Sequence, residues 1–133
     1  MKKGLILMIL AIVAIEYISC DKPEKVKDYR DKWVGTYECK KCYGAGYVDY
    51  VDVDVQTKKD SLLYIAERNL DPYRAGVKYD MKINIDGIFQ NIDPRPPFIS
   101  GNFYEDSLYI FYFYPTPGAG VSVSYEGKKR KSK

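Results

Sequence analysis

The stretch Val77-Lys78-Tyr79-Asp80-Met81-Lys82-Ile83-Asn84-Ile85-Asp86 alternates apolar and polar residues at every position. On a helix this pattern would scatter the apolar side chains around the whole circumference. On a strand it gives one buried face and one wet face. The pattern recurs. Val51, Val53 and Val55 interleave with Asp52, Asp54 and Gln56, and Val121, Val123 and Tyr125 interleave with Ser122, Ser124 and Glu126. Between them SLYIFYFY, residues 107–114, is apolar on both faces. Leu108, Ile110, Tyr112 and Tyr114 share one face; Tyr109, Phe111 and Phe113 share the other. Such a strand is either covered on both sides or presents an aromatic strip outward.

Turn chemistry separates these runs. Asn102–Asp106 suggests a hairpin, Pro115–Gly120 must reverse the chain, and Asp93–Pro97 is a stiff extended loop. Asn69–Pro72 marks another break, while Ser61–Glu67 suits a short strand or a helical turn. About seven strands joined by short loops predict an all-β domain over residues 33–127. The expected form is a small antiparallel β-sandwich or a partly closed barrel. The opening Trp33-Val34-Gly35-Thr36-Tyr37 resembles that of small lipocalin-like or META-like β domains, where a similar GxY recurs. That resemblance implies fold alone.

The first residues carry a different message. Lys2 and Lys3 precede 12 uncharged residues, Gly4–Ile15, and Glu16 ends the run. This is the layout of an export signal, too short for a comfortable bilayer-spanning helix. Ser19 then precedes Cys20, which resembles the lipobox of bacterial lipoproteins, although Tyr17 stands where that family usually has an aliphatic residue. The resemblance implies a helical signal peptide over 1–19, cleavage before Cys20, and acylation of Cys20. The protein would then be held on the lipid bilayer of the bacterial cell envelope, with the outer membrane as the expected site. Two or more acyl chains hold a protein firmly where one does not. Residues 20–32 would form a polar tether, and the acidic residue and lysines just after Cys20 resemble export signals of Bacteroidetes surface lipoproteins.

Charge narrows the partners. The chain from Cys20 onward carries 19 Lys and Arg against 17 Asp and Glu, and five of those cations fall in residues 128–133. The body is mildly acidic and the tail basic and expected to be disordered. A nucleic-acid binder shows its basic face within the fold, so nucleic acid is not an expected partner.

Cys39-Lys40-Lys41-Cys42-Tyr43-Gly44-Ala45-Gly46 matches one copy of the zinc-binding repeat of DnaJ-type chaperones, a family in which each zinc takes two copies. Here there is one copy, no histidine, and a third cysteine, Cys20, that acylation would consume. A closed zinc site wants four ligands. Glu38 or Asp49 could only complete a poorer one, so no cofactor is expected. Thiol catalysis wants the first cysteine at a helix N-terminus, and no helical pattern follows. The favoured expectation is a Cys39–Cys42 disulfide. It requires a tight turn through Lys40-Lys41, because residues i and i+3 on a straight strand face opposite ways.

No catalytic residue is assigned. Without histidine a Ser-His-Asp triad is excluded. Asp52 and Asp54 share a strand face at a spacing of about 6–7 Å, which suits a pair of inverting-glycosidase carboxyls, but the stronger reading of alternating aspartates is a solvated strand face. Binding is better supplied. Of 14 tyrosines, 13 follow the signal, and tyrosine combines buried area with a polar handle. The candidate surface is Tyr104, Tyr109, Phe111, Tyr112 and Phe113, offered to a protein or glycan ligand. The expected function is a non-enzymatic binding or structural module at the envelope; the alternative is a small hydrolase or a thiol- or zinc-dependent protein using Cys39 and Cys42.

Overall fold

A computed structural model describes residues 27–132. The signal peptide expected over 1–19, the acylation site Cys20 and the start of the tether lie outside the described residues. A 3-10 turn at Asp31–Trp33 leads into eight strands: β1 (Gly35–Tyr43), β2 (Val48–Thr57), β3 (Leu62–Glu67), β4 (Lys78–Ile83), β5 (Ile88–Asn91), β6 (Phe98–Tyr104), β7 (Ser107–Thr116) and β8 (Ala119–Lys129). Each pairs antiparallel with the next, and β8 returns to β1, closing an up-and-down barrel. The all-β antiparallel expectation holds. Of the two forms considered, the sheet adopts the barrel, and closure leaves it no free edge.

The strand not foreseen is β5. The alternation at 77–86 runs past the end of β4, but the chain turns at Asn84–Gly87. Asn84 Oδ1 accepts from the backbone N–H of Asp86 (3.0 Å) and of Ile88 (2.9 Å). Gly87 takes φ +85°, a left-handed conformation that glycine adopts without penalty. Asp86-Gly87 is hairpin chemistry, and it overrides the period, leaving Ile85 exposed at the turn. The reversal after β7 is tighter than expected: Pro115 still pairs with Gly120, so only Pro117-Gly118 turn.

Alternation sends one face of every strand into the barrel, where side chains fill the lumen. Val53, Val55, Leu63, Ile65, Met81, Phe89, Leu108 and Val123 are buried there; each contributes about 1.5–3 kcal/mol. Trp33 closes one end, stacked on Phe103 at 5.4 Å with Tyr29 edge-on at 6.1 Å. Tyr37 donates its hydroxyl to the Trp33 carbonyl at 2.9 Å. Arg30 donates to the carbonyls of Lys58 and Leu62, 2.7 and 2.6 Å away. The segment read as tether is therefore docked from Tyr29 onward. The basic tail also starts later than expected, since Lys128 and Lys129 pair with β1.

The disulfide expectation is overturned. Both Cys39 and Cys42 are free thiols. β1 runs unbroken through Lys40-Lys41 to Tyr43, so the turn that a bridge needs does not form. Cys39 points inward, buried against Gly127, where an added Cβ would stand 2.3 Å from its sulfur. Cys42 lies on the outer face of the wall.

Candidate functional site

The barrel holds one charged pair in its lumen. Inward alternation on β1 takes Tyr37 and Cys39, then Lys41; on β3 it takes Leu63 and Ile65, then Glu67. Lys41 Nζ donates to Glu67 Oε2 at 2.7 Å, with side-chain exposures of 1% and 7%. Tyr125 donates its hydroxyl to the same oxygen at 2.7 Å and accepts from the Val77 N–H at 3.2 Å. Burial, then the bond to Glu67, raises the Tyr125 hydroxyl above the ordinary phenol range. The groups satisfy one another, as buried polar groups must. Sequence reasoning assigned Lys41 to a turn and gave Glu67 no role.

The outer wall near β1 and β2 carries a ladder of ion pairs. Arg68 binds Asp54 (2.6 Å) and Asp52 (3.2 Å), and Arg130 binds Glu38 (3.0 Å) and Asp52 (3.2 Å). Thr36 Oγ1 donates to Asp54 at 2.7 Å. Arg68 first, then Thr36, holds the Asp54 carboxyl below the usual carboxylate range. A glycosidase pair needs one carboxyl kept protonated; Asp54 is shifted the other way. Asp52 and Asp54 thus sit where strand alternation placed them, tied to arginine.

Thiol chemistry fares similarly. Burial pushes the Cys39 thiol up to about 12, which makes it a poor nucleophile. Among the described residues no group of three or more His, Cys, Asp or Glu side chains gathers to hold a metal.

The aromatic strip of β7 faces outward. Tyr109 is 40% and Phe111 50% exposed. Tyr104 is exposed beside them on β6, while Phe113 is half-buried, its ring lying over Gly120. Tyr112 does not join them: it points inward and is buried. Cross-strand register extends this surface in rows. Tyr50, Lys40, Glu126, Tyr109 and Asn102 are successive outward partners on β2, β1, β8, β7 and β6. Ser124, Phe111 and Ser100 form the adjacent row.

Two hollows follow these rows. One, of about 780 Å³, has Tyr50, Lys40, Glu126 and Tyr109 in its lining; the other, of about 360 Å³, includes Tyr109, Phe111, Ser100 and Ser124. They share Tyr109 and Glu126. Lys40, Tyr50 and Glu126 are the residues missed from sequence. The signal for Tyr50 was present, because it is in phase with Asp52 and Asp54 on the wet face of β2.

Compared with known proteins, the chain matches no family model, no curated protein and no solved structure. Among the described residues no helix is long and apolar enough to cross a membrane.

Proposed function

We propose that this protein is a non-enzymatic binding module held at the bacterial cell envelope by an acylated Cys20, with the outer wall of β1, β2 and β6–β8 as its contact surface. The observation that carries the reading is the pair of hollows joined at Tyr109 and Glu126. Exposed aromatic side chains in contiguous concave surface are what a recognition site needs and what a bare structural barrel would avoid. The filled lumen supports the same reading, since it serves as a rigid scaffold for groups on the wall. The export signal and the Ser19-Cys20 junction supply the anchor.

The whole precursor, expressed in an exporting bacterium, tests both parts. Intact mass of the membrane-bound form should place an acylated Cys20 at the N-terminus; an unmodified N-terminus elsewhere sinks the anchor. In detergent, where the acyl chains no longer hold the protein, lipid-free envelope fragments should retain the wild-type chain and release a Tyr109→Ala/Phe111→Ala variant whose unfolding curve is little changed. Equal retention of the two sinks the surface.

A further inference from the structure

We infer that the hollow between Tyr50 and Tyr109 takes a neutral oligosaccharide, an assignment that rests on the wall being a contact surface. The row Tyr50–Lys40–Glu126–Tyr109 crosses four adjacent strands. The backbones of the two tyrosines are three strand spacings apart, about 14 Å measured along the curved wall, with Tyr50 79% exposed at one end. The charges between them are the informative part. Lys40 and Glu126 are direct cross-strand partners, yet they form no ion pair. Among the described residues neither side chain has a charged or hydrogen-bonded partner. One row nearer the Trp33 end, Glu38, Asp52, Arg68 and Arg130 are all tied to one another. The wall therefore satisfies the charges at the Trp33 end of the hollow and leaves Lys40 and Glu126 free between the two tyrosines.

The sign of the site selects among ligands. Its lining holds three carboxylates, Glu38, Asp52 and Glu126, and three cations, Lys40, Arg68 and Lys128, with Arg130 bound to Glu38 and Asp52 at its edge. A site so close to neutral offers little to phosphate-rich ligands, whose binding depends on a strong net positive field. A protein partner would have to desolvate Lys40 and Glu126 at the centre of its interface, where charged residues are depleted. The closed barrel also gives such a partner no strand edge to extend. A neutral sugar meets each requirement. Its hydroxyls donate to Glu126 and accept from Lys40, and its C–H faces lie on the rings of Tyr50 and Tyr109, whose own hydroxyls stay at the wet rim.

The test uses linear neutral oligosaccharides of glucose and of N-acetylglucosamine, in increasing length, titrated into the whole chain in detergent. Saturation-transfer NMR and calorimetry read the binding. Affinity should rise with length until the span between the tyrosines is filled. Tyr50→Ala and Tyr109→Ala should each weaken binding about tenfold, equivalent to about 1.4 kcal/mol, and Glu126→Gln should weaken it less. Tyr73→Ala, on the loop after β3, should change nothing. Because Tyr50 is so exposed, its variant keeps the fold and keeps the test decisive. Tighter binding of uronic-acid oligosaccharides of equal length, or indifference to Tyr50→Ala, overturns the assignment. If no oligosaccharide binds while Tyr109→Ala still abolishes retention on envelope fragments, the sugar assignment falls and the contact surface stands. If both assays are blank, both fall.

Discussion

Replacing Glu67 by leucine should be among the most damaging single changes in this barrel. Lys41 would keep its ammonium inside the lumen, 1% exposed, with its 2.7 Å partner gone. Breaking a buried pair from one side costs about 3–5 kcal/mol. The Tyr125 hydroxyl also loses its acceptor, though it still accepts from Val77, which adds about 1 kcal/mol. The rings of Tyr43 and Tyr125, 5.0 and 5.4 Å from Lys41 Nζ, face the ammonium in the wild type as well, so they return nothing on mutation. The net expectation is a loss of about 4–6 kcal/mol, against a total stability of about 5–15 kcal/mol for a domain. Lys41→Met/Glu67→Leu removes both charges and puts apolar volume in their place. It should lie within about 2 kcal/mol of wild type, because replacing a whole buried pair is often neutral. Equilibrium urea unfolding, followed by far-UV circular dichroism and Trp33 fluorescence, gives the four corners of the cycle. Should Glu67→Leu fail to fold, the order of Lys41→Met below the double variant carries the same information. A double variant as unstable as the sum of the singles, or a nearly silent Glu67→Leu, would refute the reasoning.

The thiols make a second expectation. In the native protein Cys42 should react with a maleimide while Cys39, 2% exposed, reacts only on unfolding; reduction should leave the mass unchanged, and Cys42→Ser should abolish the native reaction. The third concerns alkali. Because burial raises the Cys39 thiol from 9.0 to about 12, the unfolded chain loses this proton first, so its stabilisation is full below pH 9 and falls away as pH rises from there through about 12. Tyr37 and Tyr125, both raised by burial above the ordinary 10.0, extend the decline. Urea midpoints measured across this range should fall with pH, and Cys39→Val should remove the portion that begins near pH 9; an unchanged profile in that variant would contradict the assignment.

Strand alternation made most of the wall legible from sequence. Val51–Val55 and Leu108–Tyr112 face inward as their period requires, and Tyr109 and Phe111 face out. Failure came where a local rule competed with the period. Asp86-Gly87 ended β4 against an alternation that continued to Ile85. The expected Cys39–Cys42 disulfide requires a turn through Lys40-Lys41, and that requirement is set against a run that continues as strand. In β1 the phase decides instead: with Tyr37 and Cys39 inside, Lys41 follows them and Lys40 faces out.

The charged pair was illegible for a deeper reason. Lys41 and Glu67 lie 26 residues apart on β1 and β3, strands separated by β2 and joined only across the closed lumen. Each looks like an error in its own strand, a charge at an apolar position. The two errors cancel only once the barrel closes. The same geometry makes the pair a check on register. A one-residue slip of β3 against β2 would turn Glu67 to the wall and bring Tyr64 and Ala66 inward. Leu63 and Ile65 would lose burial at about 1.5–3 kcal/mol each, offset only in part by Tyr64 and Ala66. Lys41, fixed by β1, would be left without its anion at a penalty of several kcal/mol. The pair therefore adds several kcal/mol to the gap that the aliphatic core already opens between the native pairing and its nearest competitor, even where it adds little to stability itself.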